Sequence, residues 1–144
     1  MFTSILLPID LSSPDSWSRA APVAIRMATD GDIPLHVVTV LPDFGNSMVG
    51  SYFKEGYEKQ ALHDVGEQLT GWVSANVPDS VDVKPHVLHG RVYDQIIEAA
   101  DRVGADVIVM GSHQPEPSDY LLGPNAARVV RHAKQSVFVI RSEN

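Results

Sequence analysis

The stretch "ADVIVMGS", residues 105–112, decides the fold. Its centre, Val107 to Met110, is apolar without alternation, as in a strand covered on both faces of a sheet. Beyond Gly111 and a proline-containing connection come "NAARVVRHA" (125–133), a short helix, and "SVFVIR" (136–141), a further strand. The same alternation runs upstream. "SILLPID" (4–10) is another fully apolar run closed by an acid, and "SSPDS" follows, with Ser13 as N-cap and Pro14 at the first helical position. Trp17, Ala20, Ala21, Ala24, Met27 and Ala28 then recur at helical spacing up to "DGD" (30–32). Pro22 interrupts that face, so the helix is either kinked there or begins later than Pro14.

"PLHVVTVL" (34–41) reads as a strand and "PDFGNSMVGSYFKEG" (42–56) as a long, turn-rich connection. From about Tyr57, the residues Ala61, Leu62, Val65, Leu69, Trp72 and Val73 form a helical stripe. "VDVKPHVL" (81–88) alternates as a strand, and Pro85, which has no N–H, assigns it to a sheet edge. Val92, Ile96, Ile97, Ala100 and Val103 define the next helix, with Gly104 suited to the position just past its end. Strands alternate with helices throughout residues 1–144, which read as one domain. The alternation predicts an α/β fold, a parallel sheet with helices on both faces, Rossmann-like.

Composition narrows the function. A hydrophobic share of 44% and a charged share of 20% suit a soluble globular protein. The net charge of −7 argues against nucleic acid as a partner, which would need a basic surface. "MFTSILLPID" has no basic leader, and its apolar run is too short for a signal peptide or a membrane span, so a cytoplasmic protein without membrane insertion is expected. The absence of cysteine excludes disulfides, thiolate zinc sites and cysteine nucleophiles.

In a doubly wound sheet, ligands bind beyond the carboxyl ends of the strands, where the winding reverses. If the first and fourth strands are central neighbours, Asp10 and Gly111 lie at that crevice. The connection 111–124 then leads to the start of the helix beginning near Asn125, where free N–H groups and the helix dipole attract phosphate. On spacing alone the glycines read equally as turn residues. Asp10 reads as a ligand contact or as a cap, and Arg128 as an anion contact one turn into the helix or as part of a solvated face with Arg131.

"ILLPID", "LHVV", "VIVMGSH" and "YLLGPNAARVVRHAKQSVFVIR" together resemble the universal stress protein family over essentially the whole chain. The ending is most similar to the F and G branch of single-domain members. The resemblance implies a five-stranded parallel sheet in the order 3-2-1-4-5. It implies binding of ATP, with or without Mg2+, in a cytoplasmic stress-response protein. It also implies a homodimer or tetramer formed through the last strand, where Phe138 and Ile140 make the edge adhesive. Nucleotide-binding members carry the pattern G-x2-G-x9-G-(S/T). By resemblance, Pro8, Ile9, Asp10 and Val37 hold adenine and ribose. Gly111, Ser112 and His113, preceded by Met110, and Gly123, Pro124, Asn125 and Ala126 hold ribose and phosphates.

Two positions depart from that pattern. Its second glycine falls on Gln114 and its Ser/Thr on Pro124, and the segment between Gln114 and Gly123 is one residue short. Gln114 resists positive φ, though its amide can donate to phosphate. Pro124 removes a backbone donor and a hydroxyl but suits a helix start. The expectation is a weakened phosphate grip, not a lost site. A decayed site serving protein–protein contact alone is the competing reading. Enzymatic signatures are sparse: "GPNAAR" is no Walker A sequence, there is no G-x-S-x-G elbow, and the histidines read as scattered, with His36 and His63 isolated. Slow ATPase or autophosphorylation activity is left open.

Overall fold

The computed structural model describes residues 1–42, 55–112 and 124–141. The elements in chain order are β1 (Ile5–Pro8), a 3-10 turn (Pro14–Ser16), α1 (Ala20–Gly31), β2 (Leu35–Pro42), α2 (Glu55–Asn76), β3 (Val83–Gly90), α3 (Val92–Val103), β4 (Val107–Ser112), α4 (Pro124–His132) and β5 (Ser136–Arg141). The five strands form one sheet in the order β3-β2-β1-β4-β5, parallel at every pairing. β3, with Pro85, lies at one edge and β5 at the other, as the sequence predicts.

Alternation along the central strands sorts side chains into two apolar layers. Ile5, Leu7, Leu35, Val37, Val107 and Val109 pack with Ala20, Ala21, Ala24 and Ala28 of α1 and Leu69 and Trp72 of α2. Leu6, Val38, Ile108 and Met110 pack on the other face with Ile96, Ala99 and Ala100 of α3 and Ala126 and Val129 of α4. Small residues on α1 let that helix approach the sheet closely. Trp17 meets Trp72 edge-on at 5.5 Å, tying the entry of α1 to α2.

The prolines resolve cleanly. The helix begins later than Pro14: a 3-10 turn covers Pro14–Ser16 and α1 starts only at Ala20. Pro22 therefore sits in the first turn of α1, where an N–H has no intrahelical acceptor and its loss costs nothing. Ser13 flanks the 3-10 turn without a side-chain capping bond. At the far end of α1 the left-handed residue is Asp32, at φ 50°, with its N–H turned back to Ala28 and Thr29. Gly104 takes that role after α3, at φ 71°.

Candidate functional site

The crevice opens because of where Pro8 falls. Ile5 and Ile9 donate their N–H groups to Pro34 and Val38 on the β2 side, at 3.1 and 2.8 Å. Alternation turns the intervening even positions of β1 toward β4. Pro8 has no N–H to give there. Accordingly β1 pairs with β2 from Ile5 to Pro8, but with β4 only at Ile5 and Leu6. Beyond Leu6 the two central strands part at their carboxyl ends, at the switch point of the sheet.

A cavity of about 330 Å³ occupies the gap, within the range of small-ligand sites. Part of the lining is apolar: Val38, Val40 and Pro42 from β2, Val92 and Ile96 from α3, and Met110 from β4. Part is polar: Asp10, Ser12, Ser13, Ser16, Ser112 and Asn125. Pro8, Ile9, Gly111, Pro124 and Ala126 complete the described lining, in which Asp10 is the one charged residue. A second, more open hollow crosses the outer surface of α3 between Arg91 and His132. It has mostly charged and polar walls.

The polar wall is a loop folded on itself. Asp10 Oδ1 accepts from the N–H of Ser12 at 3.0 Å and from its hydroxyl at 2.7 Å. Ser16 Oγ accepts the Asp10 N–H at 2.9 Å and donates to the Asp10 carbonyl at 3.1 Å, and the Ser13 N–H donates to that carbonyl at 3.0 Å. These bonds place the 3-10 turn directly over Gly111. A Cβ there would lie 2.9 Å from the Ser16 carbonyl carbon and nearer still to its oxygen. Gly111 is thus required for space beneath a neighbouring backbone, a reason that glycine spacing alone does not reveal.

Of the residues singled out from sequence, Pro8, Ile9, Asp10, Met110, Gly111, Ser112, Pro124, Asn125 and Ala126 converge on this cavity. Pro124 is the first residue of α4, as expected of a proline. His113, Gln114 and Gly123 lie outside the described residues. Two positions fall outside the cavity lining. Val37 is fully buried in the α1/α2 layer, and its neighbours Val38 and Val40 face the cavity instead, a parity set by the two-residue repeat of the strand. Arg128 projects toward α3, with its guanidinium 4.9 Å from the centre of the Tyr93 ring, and does not line the cavity.

The residues that sequence reasoning missed are Ser12, Ser13 and Ser16 and the apolar wall from β2 and α3. The run "LSSPDS" after Asp10 was the available signal for the serines. The histidines need a further correction. His36 is not isolated: its Nδ1 lies 3.0 Å from Nε2 of His86 on β3, with the rings stacked at 5.2 Å. His63 pairs with Glu67 and His89 with Glu58. Among the described residues no group of three or more metal-ligating side chains comes together.

The fold and the crevice define a doubly wound α/β protein with a cavity of small-ligand size at its switch point. More narrowly, the chain belongs to the universal stress protein family, whose model matches residues 1–141. Universal stress protein G of Shigella flexneri is 34% identical over 143 residues, covering 98% of this chain and all of that protein. Among solved structures, UspA from Lactobacillus plantarum aligns with a TM-score of 0.74 at 26% identity, covering 96% of this chain and 97% of its own. A universal stress protein from Archaeoglobus fulgidus in complex with dAMP aligns with a TM-score of 0.66 at 24% identity, over 96% and 97% of the two chains. Among the described residues, no helix is long and apolar enough to cross a membrane.

Proposed function

We propose that this protein binds an adenine nucleotide in the crevice between β1 and β4 and serves as a nucleotide-responsive regulator of a stress response in the cytoplasm. ATP is the nucleotide the family resemblance implies. The observation that carries the reading is the cavity at the switch point with its mixed apolar and polar lining. Val38, Val40, Ile96 and Met110 offer apolar surface suited to a base, and the polar Asp10–Ser16 loop and the start of α4 line the same cavity, suited to sugar and phosphate. The dAMP bound by the Archaeoglobus fulgidus relative supports the choice of adenine. With Asp10 as the one carboxylate on the described wall, Mg2+ would enter on the nucleotide's phosphates. Dimerisation through β5 is part of the proposal: that strand is a sheet edge, and Phe138 is 40% exposed.

Mass spectrometry of small molecules released from the denatured protein, with thermal melting in millimolar adenine nucleotides, tests this reading. A co-purified adenine nucleotide or a raised melting temperature is expected. Neither at millimolar ligand would reject it.

Pro124 at the first position of α4 favours a second reading, a site that has decayed and leaves protein contact as the whole activity. A Pro124→Ser, Gln114→Gly double variant separates the two. Gain of ATP binding that the parent lacks would support decay.

A further inference from the structure

We infer that the His36–His86 pair fastens the edge strand β3 to the sheet and releases its amino-terminal half in acid, so that the fold itself responds to a fall in pH. The pair bridges two strands: His36 Nδ1 lies 3.0 Å from His86 Nε2, and the His36 residue is 7% exposed. β3 relies on such a tie because β2 is its one neighbour in the sheet. Leu35 donates its N–H to the Asp82 carbonyl at 2.9 Å. Alternation then turns the N–H groups of Lys84 and His86 toward β2 and position 85 outward, where Pro85 has no N–H to offer a further strand.

Two neutral rings make this bond, one donating and one accepting, and so does a pair that shares one extra proton. A second proton leaves two N–H groups facing each other with no acceptor between them. The surroundings disfavour that state. Val38 and Leu88 pack in the layer under α3, so by alternation His36, Lys84 and His86 share that face. Lys84 registers with His36, and Arg102 in the last turn of α3 acts on His86. β1 presents Leu6 to His36 and adds no charge there. Asp82 alone opposes the cations, at His36. The carboxylates of α3 are engaged elsewhere: Asp94 by Arg91, Glu98 by Gln95, and Asp101 by Lys134 and Gln135. Burial first, then the neighbouring cations, hold both rings below 6.5. The closed form is thus favoured above about pH 6.5, and the open form gains as the pH falls below it. The carboxyl end of β3 is tied differently. His89 Nδ1 lies 2.8 Å from Glu58 Oε1 on α2, and a proton on His89 adds a charge to that contact. Acid therefore frees the strand from its amino end while its carboxyl end stays held.

Amide hydrogen exchange of the full chain at about pH 7.5 and about pH 5.5, corrected for intrinsic rates, tests the inference. One unit below its free value, each histidine favours the open form about tenfold over a closed form that keeps it neutral, so protection at Lys84 and His86 is expected to fall about ten- to a hundredfold. Protection at Leu88, and at Leu7 and Val109 in the central strands, is expected to change by less than about twofold. His86→Gln keeps a hydrogen-bonding side chain that does not titrate, and should lose most of the pH dependence. The ring-nitrogen shifts of the unaltered protein give a second reading that needs no variant: His36 and His86 should titrate as a coupled pair, in step with the loss of protection at Lys84. Unchanged protection at Lys84 and His86 in acid would overturn the inference. So would an equal loss at Leu88, Leu7 and Val109, which marks global destabilisation, or the same loss in His86→Gln.

Discussion

Replacing Gly111 with alanine tests how the crevice is built. The added Cβ would stand 2.9 Å from the Ser16 carbonyl carbon and 3.3 Å from the Asp15 oxygen. Both neighbours are backbone, so no side chain can rotate away. The 3-10 turn must lift, or β4 must sink into a layer already filled by Val107, Ile108 and Val109, each with no exposed surface. Overpacking of this kind costs about 1–3 kcal/mol. For a chain of this length that lowers the melting temperature by about 3–10 °C. Ser12, Ser13 and Ser16 move with the turn, so nucleotide affinity should fall as well. Gly71 provides the matched control. It lies exposed within α2 with nothing within 4 Å of an added Cβ, and alanine there should stabilise by about 0.5–1 kcal/mol and leave ligand binding unchanged. Calorimetric melting and ligand titration of both variants make the comparison. A Gly111→Ala protein that melts with the wild type and binds with unchanged affinity would refute the seating of the turn on Gly111.

Three further outcomes follow from particular contacts. Burial, joined by the charges of His86 and Lys84 around His36 and of Arg102 and Lys84 around His86, holds both histidines below the ordinary value of 6.5, with Asp82 partly opposing this at His36. Below that value the unfolded chain binds more protons than the native one, so this stability is complete above about pH 6.5 and drains as the pH falls. Melting curves from about pH 5 to 7.5 should show a shallower acid loss in His86→Gln than in the parent, and an unchanged slope would contradict the pairing. Phe138→Glu, at the exposed edge of β5 where Phe2 meets the ring at 5.7 Å, should turn a β5-mediated dimer into monomer in sedimentation velocity, and a dimer that persists would place the interface elsewhere. Ile108→Ala, in the fully buried layer between β4 and α3, should cost about 2–5 kcal/mol in denaturant unfolding, and a loss within 0.5 kcal/mol would contradict its packing.

The sheet was legible because β1 and β4 are buried on both faces, so "ILLP" and "VIVM" are apolar at every position and need no register to be recognised. Pro85 marked the β3 edge for a purely local reason, its missing donor, and Gly104 marked the end of α3 in the same way. The site was read less completely. Asp10, Gly111 and Pro124 are near one another only through the strand order, and the family resemblance supplied that order. Val37 and Val38 differ by one step of a strand in which both are fully buried, so composition could not say which faces the crevice. The contact of Arg128 with Tyr93 was not legible because a position on a helix says little about which neighbour claims a long side chain, and Tyr93 lies 35 positions away in sequence. The His36–His86 pair was invisible for the same reason: it exists only because Val38 registers with His86 across β2 and β3.

The central claim, that the gap where β1 leaves β4 is the ligand site, is tested most directly by mapping backbone amide shifts in solution as AMP is added. The account predicts that the largest changes fall on Ile9, Asp10, Val40, Gly111, Ser112 and Asn125, with β3 near His86 and the outer surface of α3 silent. Changes concentrated on the α3 surface around Tyr93 and His132, with Gly111 and Asn125 unmoved, would contradict it.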